Sequence, residues 1–227
     1  ESLFLEAGFP KGVFQNLSIT SDTVEKVLRD ERVQGVALTG SERAGASVAS
    51  IAGSEIKRSV LELGGSDPFV VLADADVARA AEAAATARLQ NTGQSCIASK
   101  RFIVEAPVVD EFTKQLKKHF ESMIVGDPHD ESNQIGPMSS EQGMKDILSQ
   151  IDRSVAMGAN VVTGGAQKKG GGHFCEPTIL SGVTADMPVY REETFGPVAA
   201  VIIAENTDDA VHIANDTRFG LGASVWT

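Results

Sequence analysis

The chain has 227 residues, 42% of them hydrophobic, enough to bury a sizeable core in one or two domains. Its 31 acidic and 20 basic residues give a net charge of −11, which repels nucleic acid and anionic membrane and argues against both as partners. Two cysteines, Cys96 and Cys175, rule out a disulfide scaffold and fit a reducing cytoplasm, and the scattered His119, His129, His173 and His212 lack ligand spacing, so no metal site is expected. No apolar run is long enough to span a bilayer, and no charged-then-apolar leader opens the chain.

Glu1 to Pro10 reads as a helix end, with Gly8 as its C-cap and Pro10 blocking continuation. Val13 to Thr20 is apolar enough for a strand. Asp22 and Glu25 have capping-box spacing for a short helix that ends near Arg29. Val33 to Thr39 is predicted to be a buried strand. It leads through Thr39-Gly40-Ser41 into a helix, Glu42 to Ala52, whose small residues suit close packing on a sheet. Strand, glycine turn, helix is the unit of a nucleotide-binding βαβ fold.

Ser59 to Leu63 is the next predicted strand, and Gly64-Gly65 lets the backbone approach a neighbour closely. A domain boundary is placed here, with residues 1–63 in one domain and 64–227 in the other. Beyond it come a buried strand, Phe69 to Leu72, and an alanine-rich helix, Val77 to Leu89, with Asp76 in the N-cap turn. Arg101–Val104, Ala159–Thr163, Glu176–Leu180 and Pro197–Ile203 are predicted strands. Pro107–Met123, Ser140–Met157 and Thr207–Asn215 are predicted helices. Gly126–Pro137 is a surface loop, and Lys168–Gly172 a solvated hairpin tip. Gly222 to Thr227 is apolar and β-like. The alternation predicts an α/β fold with Phe69–Leu72, Arg101–Val104 and Ala159–Thr163 in one sheet.

Two stretches could carry chemistry. Asn91-Thr-Gly-Gln-Ser-Cys96 sets a cysteine in a glycine-punctuated loop, where a thiolate could be a nucleophile; the alternative is a small buried hydrophobe. Leu61-Glu62-Leu-Gly-Gly65 offers Glu62 either as a general base beside a cleft or as a strand-end residue. Gly40-Ser41 opens a helix, where free N–H groups favour an anion, but the segment lacks both the G-x-G-x-x-G order and the Lys and Ser/Thr of a P-loop.

Together with Glu192-Glu193-Thr-Phe195-Gly-Pro197, these stretches resemble the aldehyde dehydrogenase superfamily along essentially the whole chain, which corresponds to the middle and later part of such an enzyme. Three strings (Leu61–Pro68, Asn91–Cys96, Asn215–Leu221) are most similar to bacterial-type succinate-semialdehyde dehydrogenases. The resemblance implies a three-layer αβα catalytic domain beside the remnant of a Rossmann-like cofactor domain. It implies oxidation of an aldehyde, succinate semialdehyde in that subgroup, with NAD or NADP. Cys96 would form the thiohemiacetal and thioester, and Glu62 would activate the hydrolytic water. The backbone N–H of Cys96 would be one oxyanion donor. Gly40, Ser41, Leu63, Glu193 and Phe195 would meet the cofactor, and Asn215 and Phe219 would lie near the substrate.

Two positions depart from that subgroup. Gln90 stands where some members have a carboxylate-binding arginine, with Arg88 predicted to point elsewhere, and Ala98 stands where some have a second cysteine. The other readings of the resemblance are a coenzyme A-acylating dehydrogenase and a non-catalytic binding or structural protein. The implied whole enzyme is a homo-oligomer. This chain, expected to be a fragment, is expected to be inactive alone and to self-associate through an unpaired apolar strand.

Overall fold

The computed structural model describes residues 1–227, which divide into two compact units, Glu1–Leu63 and Gly64–Thr227. In the first unit the order is α1 (Ser2–Glu6), α2 (Ser21–Arg29), β1 (Gly35–Thr39), α3 (Glu42–Ser54) and β2 (Arg58–Glu62). β1 and β2 pair in parallel from Gly35↔Arg58 to Thr39↔Glu62, with α3 as the crossover between them. A parallel pair needs such a connection, since a tight hairpin cannot return the chain in the same direction. Leu28, Val48 and Ala52 form the buried core. Lys57 fastens the end of α2 by donating from Nζ to Leu28 O and Asp30 O, both at 2.6 Å.

Three expectations for this unit are corrected. Val13–Thr20 forms no strand: no ladder reaches it, and Val13, Leu17 and Ile19 are exposed. A strand's backbone groups need a partner edge, and β1 and β2 pair only with each other. Asp22 is not a cap. Thr20 occupies that position without a side-chain bond, and Asp22 sits in the first turn of α2, its pKa lowered chiefly by the Thr20 hydroxyl. β1 alternates exposed and half-buried rather than being buried throughout.

The second unit holds β3 (Pro68–Val71), α4 (Val77–Leu89), β4 (Arg101–Glu105), α5 (Val109–Ser122), α6 (Glu141–Ala156), β5 (Asn160–Thr163), β6 (Thr178–Ser181), α7 (Pro188–Arg191), β7 (Val198–Ala204), α8 (Thr207–Asn215) and β8 (Ser224–Trp226). One six-stranded sheet runs β5-β6-β7-β4-β3-β8, so the three strands expected to share a sheet do so. Only the β5–β6 pair is antiparallel.

Successive residues of the central strands feed opposite faces. Phe69, Val71, Phe102 and Val104 pack with Ala84 of α4 and Leu116 of α5. Val70, Ile103, Ala200 and Ile202 pack with Ile147 of α6 and Tyr190 of α7. Helices on both faces explain why these strands are continuous apolar runs rather than alternating ones, and the result is a three-layer αβα unit. The short helix α7 escaped the sequence reading. The C-terminal apolar run is not unpaired: β8 pairs with β3 from Phe69↔Ser224 to Val71↔Trp226, and Trp226 stacks on Phe69 at 5.6 Å.

Candidate functional site

In the first unit, four of the sequence-predicted residues gather where β1 and β2 end. Glu62 closes β2 opposite Thr39, and its side chain is exposed. Gly40 continues the ladder by donating its N–H to Glu62 O at 3.0 Å. Ser41 is the N-cap of α3, and its hydroxyl accepts from the Ala44 N–H at 3.3 Å. Leu63 lies over the first turn of α3, where a Cβ on Gly45 would come within 2.6 Å of its Cδ2. Gly45 therefore has to be small for Leu63 to reach the helix start.

The second unit contains the loop that carries Cys96. It leaves α4 through Asn91, Thr92 and Gly93, all with left-handed backbone (φ 53°, 58° and 71°). Left-handed geometry at a β-branched residue such as Thr92 is unfavourable and needs support from its surroundings. Arg88 supplies it. Fully buried on the alanine face of α4, it donates from Nη1 to Ser99 O at 3.0 Å and from Nη2 to Gly93 O and Thr194 O. Burial pushes its guanidinium down to about 9. Gln94 ties the loop to its neighbour by accepting from the Ser139 N–H at 2.7 Å.

The loop ends in a turn closed by the Ala98 N–H donating to Ser95 O at 3.2 Å, with Cys96 and Ile97 at its corners. Cys96 is half-buried and Ile97 exposed. The N–H groups of Cys96 and Ile97 donate to no group of the chain. Beneath the turn, the Lys100 ammonium donates to Ser95 O (3.2 Å), Cys96 O (3.0 Å) and Ala98 O (2.9 Å). The same Nζ lies 3.7 Å from Glu193 Oε1, which accepts from the Gly65 N–H at 3.0 Å.

Gly64-Gly65 makes the close approach expected of it. A Cβ on Gly64 would sit 2.0 Å from Glu193 Oε2, and one on Gly65 would sit 2.5 Å from Cys96 O. Cys96 and Glu193 are thus brought to one place by two glycines and a lysine. A cavity of about 430 Å³ opens beside Glu193, lined also by Gln94, Gln150, Arg153 and Phe195 among others. Glu192 is held away from Glu193 by Arg153 at 2.9 Å.

The aldehyde dehydrogenase family model matches residues 1–227. The chain belongs to that family. It is 50% identical over 220 residues to a succinate-semialdehyde dehydrogenase (NADP+) of Mycobacterium avium (strain 104), covering 97% of this chain and 47% of the relative. The corresponding enzyme 1 of Mycobacterium tuberculosis (strain ATCC 25618 / H37Rv) is 50% identical over 220 residues, covering 97% and 48%. A solved succinic semialdehyde dehydrogenase from Streptococcus pyogenes, in complex with NADP+, superposes with a TM-score of 0.95 at 43% identity, over 100% of this chain and 50% of that one. The chain spans about half the length of the curated relatives it matches.

Within this aldehyde dehydrogenase fold, other sequence candidates have local partners. Asn215 ends α8 and donates to Val211 O at 2.8 Å, and Phe219 is half-buried with Arg218 over its ring. Gln90 is exposed, while the three carbonyls on Arg88 leave that guanidinium none of the freedom a substrate anchor needs. Cys175 is a packing residue, and burial pushes its thiol up to about 11. No helix is long and apolar enough to cross a membrane, and no group of three or more His, Cys, Asp or Glu could hold a metal ion.

Lys100 and the role of Arg88 were missed by the sequence reading. A signal existed for each. Lys100-Arg101 enters an otherwise apolar strand, and Arg88 falls on the helical face of Ala81, Ala84 and Ala85. A cation in either place is buried and must be paired.

Proposed function

We propose that this chain serves the NAD(P)-dependent oxidation of an aldehyde to a carboxylic acid, with Cys96 as nucleophile and Glu62 as general base. The observation that carries the reading is the turn at Cys96: a half-buried cysteine beside two N–H groups without acceptors, joined through Lys100 to Glu193, which lines the cavity. The Cys96 thiolate adds to the aldehyde carbon, and the carbonyl oxygen becomes an oxyanion that accepts from the Cys96 N–H. One such donor is worth about 10²–10³ in rate. A nicotinamide cofactor bound here would supply the hydride acceptor for that carbon, and Cys96 would then hold the acyl group as a thioester. Glu62 takes a proton from water, the hydroxide displaces the thiol, and the acid departs.

The residues present fit such a cofactor. Glu193 lines the cavity with a carboxylate able to accept from ribose hydroxyls, and the exposed Phe195 offers a ring face there. Gly40, Ser41 and Leu63 form the other part of the proposed set. Residues 1–63 then belong to a dinucleotide-binding domain and 64–227 to the catalytic domain. NADP is the cofactor form, and succinate semialdehyde the substrate, named for the relatives at 50% identity, and we adopt both for this chain. By the same reading the whole protein is a cytoplasmic homo-oligomer.

The test is an NADPH absorbance assay with succinate semialdehyde. In the whole protein, Cys96→Ser abolishes turnover, and Glu62→Gln allows one acylation but blocks its hydrolysis. Rapid turnover by Glu62→Gln would assign the base elsewhere. The 227-residue chain assayed alone gives no steady turnover, because the exposed β1–β2 pair is a two-stranded sheet, marginal without neighbours. Turnover by that chain at the whole protein's rate refutes this.

A further inference from the structure

We infer that Lys100 is a positioning residue for Cys96: its buried ammonium draws three loop carbonyls inward, and so turns the Cys96 and Ile97 N–H groups outward while holding a positive charge near the thiol. The inference rests on the reading of Cys96 as the nucleophile and adds a residue to it.

In a trans peptide the N–H points opposite to the C=O, and the peptide is rigid. Ser95 C=O and Cys96 N–H share one peptide, and Cys96 C=O and Ile97 N–H share the next. Lys100 binds both carbonyls, at 3.2 and 3.0 Å. Both N–H groups are therefore fixed on the far side from the lysine, where they find no acceptor in the chain. Polarisation of each carbonyl by a cation also strengthens the N–H on the same peptide as a donor.

The charge has a second consequence. Arg88, Glu193, Asp67 and Cys96 are the charged or titratable groups that act on Lys100. Burial, then Arg88, pushes the ammonium down to about 8, and Glu193, Asp67 and Cys96 oppose the fall. Three carbonyls fit three N–H donors, whereas a neutral amine has two and would aim its lone pair at the third oxygen. With its proton on, Lys100 satisfies all three oxygens and sets a positive charge beside the turn that carries Cys96.

The experiment reads Cys96 directly, on the 227-residue chain, by its rate of alkylation with iodoacetamide between pH 5 and 10. Lys100→Met and Lys100→Gln are expected to slow alkylation about tenfold at pH 7 by moving the midpoint of the profile up by about one unit. Lys100→Arg, which keeps the charge, restores most of the rate. A purely structural lysine would alter stability without moving the midpoint, so a folded Met or Gln variant with the wild-type midpoint overturns the inference. Should neither neutral variant fold, the wild type decides through the Lys100 ¹⁵Nζ titration. Its midpoint falls when Cys96 is carbamidomethylated, because the thiolate no longer supports the ammonium, and an unchanged midpoint overturns the inference. If wild-type Cys96 reacts no faster than Cys175, the nucleophile reading itself fails and takes this one with it. A fast Cys96 indifferent to Lys100 sinks only the latter.

Discussion

Replacing Gly65 by alanine tests how tightly the Cys96 turn is held. Gly65 has no left-handed backbone, so alanine suffers no conformational penalty there and the effect is steric. The new Cβ would meet Cys96 O at 2.5 Å, and that neighbour is backbone, unable to rotate away. A carbon–oxygen contact needs about 3.3 Å, so the turn must retreat by about 0.8 Å. That retreat stretches the 3.0 Å bond from Lys100 to the same oxygen. Overpacking of this kind costs about 1–3 kcal/mol, which is about 2–12 °C in melting temperature for a chain of this size. Misplacing a reacting group by about 1 Å costs about a hundredfold in rate, so the proposed oxidation should fall by an order of magnitude or more.

Gly64→Ala is the control. Its Cβ would strike the Glu193 carboxylate, the end of a side chain that can swing aside. It should weaken cofactor binding while leaving Cys96 alkylation within about twofold of wild type. The measurements are urea midpoints and iodoacetamide rates at Cys96 for both variants. A Gly65→Ala chain with wild-type midpoint and wild-type rate would refute the reasoning, since no 0.8 Å retreat would then have occurred.

Three further outcomes are expected. Arg88→Met leaves Gly93 O, Ser99 O and Thr194 O without their donor in a fully buried place, and should destabilise the chain by about 3–5 kcal/mol in urea denaturation. At pH 7.5 the native chain should take up iodoacetamide at Cys96 alone, with Cys175 labelled only after unfolding, because Cys175 is 2% exposed and its thiol is held at about 11; peptide mapping decides. Lys100 binds its proton less tightly folded, at about 8, than unfolded, at 10.5, so between those values the unfolded state holds more protons and stability rises with pH. The urea midpoint of the wild type should accordingly gain on that of Lys100→Met as pH climbs from 8 to 10.

The second unit was legible because its sheet is covered on both faces. Runs such as Phe69–Val71 and Phe102–Val104 have no alternation to misread, and the helices between them carry strong caps such as Asp76 and Ser140. Val13–Thr20 was misread for the complementary reason. Its apolar residues promise a strand, but a ladder depends on a partner edge, which lies elsewhere in sequence, and local composition cannot show it. The candidate nucleophile stood out because cysteine is rare here and the loop around it is rich in turn residues. Lys100 and Arg88 stayed hidden because their partners are backbone carbonyls, which have no letter in the sequence. A cation paired with a carboxylate leaves two marks in a sequence. One paired with main chain leaves a single charge in an apolar setting, and only its misplacement gives it away.

That pairing also explains why these two positions carry cations rather than neutral donors. A loop that runs through three left-handed residues and then turns sharply cannot bond its carbonyls to a regular ladder, yet burial demands partners for them. A serine or asparagine could satisfy one or two oxygens. Lys100 satisfies three with one atom, and Arg88 reaches three through two nitrogens, so six carbonyl contacts around the turn come from two side chains. The cost is two desolvated charges, evident in the lowering of both toward 8 and 9, with Glu193 favouring the charged form of each. The consequence runs outward. With the carbonyls committed to the interior, the peptides on either side of the Cys96 α-carbon have no freedom to flip, and their N–H groups stay turned outward, as the proposed oxyanion role requires.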